Sequence, residues 1–159
     1  MVAKIPDKCG GIIPYLVVPN ALEAIEFYSK AFGAVKANRM AGPDGHSTMH
    51  AQITLGDTSI MLTDENPQWG RVSAKTLGGS PAFFMIYVEN VDEVFDKAVA
   101  AGCEVKAPVT DMFWGDRMGK LVDPFGFQWS FGTHIEDVPP EEMATRQQAW
   151  FESMGKRGG

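Results

Sequence analysis

Residues 20–33 read NALEAIEFYSKAFG, and residues 90–102 read NVDEVFDKAVAAG. In the first stretch Ala21, Ala24, Ile25, Tyr28, Ala31 and Phe32 recur at i, i+3, i+4, i+7, i+10 and i+11. That spacing is one face of an amphipathic helix. Glu23, Glu26 and Lys30 fall on the other side. Asn20 suits an N-cap, Glu23 stands three residues later as in a capping box, and Gly33 is a natural stop. Adding 70 to each number finds the pattern again: Asn90 and Glu93 at the start, Val91, Val94, Phe95, Ala98 and Ala101 in apolar phase, and Gly102 one position early.

Working outward, each helix follows an apolar, strand-like run, Ile12 to Val18 and Phe83 to Val88. Each precedes a short extended piece and a hairpin. The first hairpin is HAQITLGDTSIMLT with Gly56-Asp57 at its turn, and the second is MGKLVDPFGFQWSFG with Asp123-Pro124-Phe125-Gly126 at its turn. Each half therefore reads βαβββ, module 1 over about 11–65 and module 2 over about 80–134, joined by a Gly-rich linker from Asn66 to Ser80. One module alone leaves a sheet face open. Two together predict an α+β fold, a curved eight-stranded mixed sheet with a concave cleft, over residues 1–135. Residues 136–159 predict a helical extension after Pro139-Pro140, apolar on the side of Met143, Trp150 and Met154, with a loose Gly-rich end.

Composition narrows the function. The chain has 159 residues, 45% of them hydrophobic, and a net charge of −6. No basic stripe serves a phosphate backbone, so nucleic acid is not an expected partner. No apolar run approaches the roughly 20 residues that span a bilayer, and the first residues lack the apolar core of a signal peptide, so no membrane partner and a cytoplasmic location are expected. Cys9 and Cys103 make neither a CxxC nor a disulfide framework. GxGxxG, P-loop, GxSxG and HExxH motifs are all missing.

Two phrases go further. IPYLVVPNALEAIEFYSKAFGA and FWGDRMGKLVDPFGFQWSFGTHIEDVPPEE resemble the opening and closing parts of PhnB-like members of the vicinal-oxygen-chelate superfamily, the group of glyoxalases, bleomycin-resistance proteins and extradiol dioxygenases. The resemblance runs from about Ile13 to Glu142. It implies a glyoxalase/bleomycin-resistance-like domain. Metal-binding members of that superfamily hold a divalent ion on the concave face with His, Gln or Glu from the first and last strands of each module. Strand alternation places Ile13, Met61, Phe83 and Ser130 at those positions here. A one-residue slip gives neighbours such as Ile12, Leu62, Phe84 and Trp129, and a two-residue shift gives Tyr15, Ser59 or Thr63, Met85 and Gln128. None of these sets suits a hard or borderline ion, so no metal and no cofactor are expected.

What remains on the expected cleft is aromatic, Met-rich and mostly uncharged. Pairing Leu55 with Thr58 puts His50, Gln52 and Thr54 on one face with Ser59, Met61 and Thr63. A similar argument puts Arg117 and Gly119 with Gln128 and Ser130, and Tyr15, Phe83, Met85 and Tyr87 come from the central strands. Trp114 serves as a cavity lid or dimer contact. The ligand-binding cleft is therefore expected from Tyr15, His50, Gln52, Met61, Phe83, Met85, Tyr87, Trp114, Arg117, Gln128 and Ser130, for a small organic molecule with a flat or anionic part.

His50 is either a general base or a hydrogen-bonded strand histidine; Asp116-Arg117 either clamps a ligand anion or orders its loop; Cys103 reads as a buried, inert thiol. The leading expectation is a metal-free binding protein that sequesters or carries its ligand. The alternative is a glyoxalase/dioxygenase-type lyase or isomerase of unknown substrate, acting through His50, Tyr87 or Arg117. A third reading gathers a metal on His50, Asp64 or Glu65, and His134. A homodimer is expected under all three, because each module presents the same unsatisfied edge.

Overall fold

A computed structural model describes residues 4–5 and 9–155. Both helices start and stop where the sequence places them. Helix α1 spans Ala21–Phe32, with the Asn20 side chain accepting from the Leu22 and Glu23 amides. Helix α2 spans Val91–Ala101, with Asn90 accepting from the Glu93 amide. Gly33 and Gly102 close them in the left-handed region, at φ of 74° and 119°.

Module 1 contributes β1 (Tyr15–Val18), β2 (Val35–Ala41), β3 (Thr48–Leu55) and β4 (Thr58–Asp64); module 2 contributes β5 (Phe83–Tyr87), β6 (Glu104–Asp111), β7 (Asp116–Val122) and β8 (Gln128–His134). The eight strands form two four-stranded mixed sheets, ordered β1-β4-β3-β2 and β5-β8-β7-β6. In each, the first strand runs parallel to the last and the rest pair antiparallel. Helix α3 (Pro140–Gly155) follows, and the expected loose terminus beyond it lies outside the described residues. The linker is ordered by a 3₁₀ turn at Pro67–Trp69 and by Glu65, whose carboxylate accepts from the Ser73 amide and hydroxyl and from Thr76.

One core joins the two modules, and it lies on the helix sides of both sheets. Leu16, Val18, Ile53, Ile60 and Leu62 of sheet 1 and Leu121, Trp129 and Phe131 of sheet 2 are buried in the same cluster. Helix α1 reaches across: Phe32 packs on Trp129 and Phe131 with ring centroids 4.9 and 5.1 Å apart. Alternation then turns the opposite face of each sheet away from this core. Edge strands β1 and β5 make no ladder with one another in the chain.

At the centre of the junction sits Asp123. Its Oδ1 accepts from the Phe125 and Phe127 amides at 2.9 and 3.0 Å. Its Oδ2 accepts from the Tyr28 hydroxyl of α1 at 2.7 Å and from Trp129 Nε1 at 2.8 Å. Burial pushes the carboxyl up, and the four hydrogen bonds offset part of that; burial and the adjacent carboxylate also raise Tyr28 well above its ordinary value. Tyr28→Phe removes one bond to a charged group and should cost about 1.5–3 kcal/mol in urea denaturation, whereas Asp123→Ala strands four buried donors and should cost more. A Tyr28→Phe protein with an unchanged unfolding midpoint would remove the cross-module bond from the stability argument.

Candidate ligand site on the outer face of module 2

The five-residue turn Asp123–Phe127 fixes what the outer, concave face of sheet 2 carries. Because Asp123 holds the Phe127 amide, and its own amide donates to the Phe127 carbonyl, the first closing pair is Val122↔Gln128. Counting back pairs Lys120 with Ser130, Met118 with Gly132 and Arg117 with Thr133. Arg117 and Gly119 therefore do not share a face with Gln128 and Ser130, as the sequence reading expected. A register that differs by one residue reverses the face.

Gly119 faces α2, where an added Cβ would stand 2.5 Å from the Phe95 ring. Arg117 is held on that side by Asp92 of α2 and by Asp111, with contacts of 2.7 Å to each. It clamps structure, and it does not pair with Asp116.

The concave face presents Phe83, Met85 and Tyr87 of β5, Met118 and Lys120 of β7, and Gln128 and Ser130 of β8. Helix α3 folds over this face through Trp150, Ser153 and Met154, enclosing a cavity of about 720 Å³. Met112 and Trp114 of the β6–β7 loop close one side. Phe113 braces the helix, its ring 5.5 Å from that of Trp150. Of the residues expected in the cleft, Phe83, Met85, Trp114 and Ser130 line this cavity. Gln128 stands beside it and donates to the Ser80 carbonyl.

The roof is tied down at Asp116, a buried carboxylate. Its Oδ2 accepts from Tyr87 Oη at 2.7 Å and Trp114 Nε1 at 2.9 Å, and its Oδ1 contacts His134 Nδ1 at 2.8 Å. Burial pushes this carboxyl up, but the bonds from His134, Tyr87 and Trp114 outweigh it and hold the group below the usual range. The other ring nitrogen of His134 contacts Asp137 at 3.0 Å, at the start of the C-terminal segment. Gly115, at φ 92°, aims its carbonyl at the Ile135 and Glu136 amides, and a Cβ there would collide with the Glu136 carbonyl. Arg146 of α3 then bridges Glu136 and Glu142. Tyr87 thus anchors the roof rather than facing the cavity centre, and its hydroxyl is raised by its bond to Asp116.

The remaining expected residues stand elsewhere, on the outer face of sheet 1. The first hairpin has the expected register, Leu55↔Thr58 and Gln52↔Met61. Tyr15 Oη and His50 Nδ1 are 2.9 Å apart, and Gln52 donates to Ser59 at 3.0 Å. Cys9 lies 3.9 Å from the Gln52 amide nitrogen. Cys103 is buried, which pushes its thiol up to about 12.

The metal that the superfamily resemblance implies was tested against the residues at the first and last strands. Pairing places Tyr15 beside Met61, Phe83 beside Gln128 and Met85 beside Ser130. Thioether, phenyl and hydroxyl groups do not fit a divalent site, and a single amide among them, that of Gln128, which donates to the Ser80 carbonyl, makes no ligand set. Nor do His50, Asp64, Glu65 and His134 converge. Asp64 accepts from the Ala21 and Thr48 amides, Glu65 is held by the linker, and His134 lies between Asp116 and Asp137. Among the described residues no three His, Cys, Asp or Glu side chains gather as a metal group.

Two βαβββ modules with an open concave face define a class, and comparison with known proteins bears it out. The sequence model of the glyoxalase/bleomycin resistance protein/dioxygenase superfamily matches residues 10–131, and the chain belongs to that superfamily. It is 41% identical over 145 residues to an uncharacterized protein of Mycobacterium bovis, covering 89% of this chain and 92% of that one. Among solved structures, it is similar to an Arabidopsis thaliana gene product (26% identity, TM-score 0.62, 76% of this chain and 96% of that one). It is also similar in fold to the PhnB protein of Bacillus cereus (20% identity, TM-score 0.61, 77% of this chain and 98% of that one). No helix among the described residues is long and apolar enough to cross a membrane.

Between two carboxylates, His134 is raised above its ordinary 6.5, chiefly by the bonds to Asp116 and Asp137. A raised folded-state value stabilises the fold fully below the unfolded value and loses that contribution as pH rises through the folded one. Docking of the C-terminal segment should therefore be firm below the ordinary histidine value and weaken as pH rises above it, through the raised folded-state value. Susceptibility of α3 to limited proteolysis should rise over that window, and His134→Gln should flatten the dependence; a flat wild-type profile would refute it.

Proposed function

We propose that the protein binds a small organic molecule in the cavity between the concave face of module 2 and α3, using shape and apolar contact rather than a metal. One observation carries this reading. A roofed space of about 720 Å³ is walled by Phe83, Met85, Met118, Trp114, Trp150 and Met154. The size falls in the range of small-molecule sites, and thioether and aromatic groups mould to a flat apolar body. The ligand would be sequestered or carried. A cytoplasmic setting accords with the two free thiols.

We further propose a homodimer. The unpaired edges of β1 and β5 and the exposed rings of Tyr15 (47%), Phe83 (62%) and Tyr87 (60%) favour association. A second copy would also bring a polar face bearing Tyr15, His50, Gln52 and Met61 towards an apolar one. Light scattering at micromolar concentration should give twice the chain mass of 17.4 kDa. The monomer mass would overturn the dimer.

Binding is tested by a thermal-shift screen with small metabolites and drug-like organic compounds. A ligand at about 100 times its Kd adds about 2.7 kcal/mol, or several degrees for a chain of this size. Met118→Trp, which fills the cavity floor, should abolish the shift without lowering the unliganded melting temperature by more than a few degrees. A screen without hits, or hits that ignore Met118→Trp, would count against the site.

A further inference from the structure

The cavity wall is not uniformly apolar. Lys120 and Ser130 are direct cross-strand partners on its floor. Ser130 is 2% exposed, lines the cavity, and its hydroxyl makes no hydrogen bond to another described residue. No side-chain polar atom among the described residues is buried without a partner, so this hydroxyl is open to the cavity and can donate to an outside partner. Lys120 likewise has no carboxylate partner among the described residues; its ammonium lies 5.9 Å from the centre of the Phe83 ring. The other charged group on the lining, Asp111, is already held at 2.7 Å by Arg117. One cation and one hydroxyl donor thus stand together at the edge of a surface of rings and thioethers.

We infer that the ligand is a flat aromatic anion, a ring system bearing one carboxylate-like or sulfonate-like group. This rests on the binding cavity proposed above. The rings lie between the Met85–Met118 floor and the Trp114 and Trp150 walls. The anionic group receives the Ser130 hydroxyl and the Lys120 ammonium. Lys120 is exposed at its end, so the anion stays near the cavity mouth, where its desolvation cost is smallest. A cationic ligand would be repelled by the ammonium. A neutral one would forgo the charge-assisted bond and leave the ammonium to water.

Two fluorescent probes with the same ring body separate the ligand class from the cavity itself: 1-anilinonaphthalene-8-sulfonate, an anion, and N-phenyl-1-naphthylamine, which lacks the sulfonate. Both are titrated into the full chain, the wild type and Lys120→Gln, with melting curves to verify folding. The expected result is saturable binding of both probes, one per chain. Lys120→Gln should weaken the anion about tenfold and leave the neutral probe unchanged, and added salt should mimic the substitution. Ser130→Ala should weaken the anion about threefold. If both probes bind and Lys120→Gln affects them equally or not at all, the anion assignment is overturned while the cavity reading stands. If neither probe binds, or Met118→Trp leaves both unaffected, the cavity reading fails and this inference fails with it.

Discussion

The Asp123 carboxylate is the constraint on which the rest of the architecture depends. A buried acid is costly unless its oxygens are filled, and here four donors fill them. Two come from its own turn, one from its own sheet and one from the helix of the other module. The turn bonds set the length of the β7–β8 loop and so the register of that hairpin. The Tyr28 bond sets where α1 crosses sheet 2. A single side chain thereby decides both which residues face outward on module 2 and how the two modules meet.

From that junction the site follows. The helix-facing sides of both sheets are taken up by the shared core, where Phe32, Tyr28 and Trp129 interlock. The outer faces are left to be covered by something else. On module 2 the cover is α3, fastened at the Gly115 carbonyl, at His134 and at Arg146. The fastening is polar and lies at one end of the helix, whereas the contact over the cavity is apolar. Trp114 links the two, since it walls the cavity and donates to Asp116.

Much of this was legible in the sequence, for physical reasons that differ by element. Both helices carry local signals, an N-cap asparagine, a 3.6-residue apolar period and a terminal glycine, and the structure places them accordingly. The first hairpin has a two-residue turn, which leaves little freedom in register, and its faces came out as read. The second hairpin did not. Asp-Pro-Phe-Gly reads as a four-residue turn, but Asp123 extends it to Phe127 by accepting from the Phe125 and Phe127 amides and donating its own amide to the Phe127 carbonyl. That extra residue moves the closing pair by one, so Arg117 falls on the helix side and Lys120 and Met118 on the concave one. The Asp116 cluster is not legible for a different reason, because Tyr87, Trp114, Asp116 and His134 come from β5, a loop, β7 and β8. The apolar side of α3 was visible in Trp150 and Met154, but where it docks is a long-range matter.

Of the strand positions that would carry a divalent ion in this superfamily, those of module 2, Phe83, Met85 and Ser130, line the cavity here. That overlap makes the two uses physically exclusive. A metal site needs carboxylate or imidazole groups whose charge must be met by the ion, and without it those groups would carry a desolvation cost. With Met85, Phe83 and Ser130 at those positions the cost is absent and the surface is polarizable, so in the proposed site affinity would come from contact area and from a few polar groups at the margin. In that proposal specificity would rest on the placement of Lys120 and Ser130 rather than on coordination geometry. Because these two are partners on adjacent strands, the register set by Asp123 also keeps them side by side on one face.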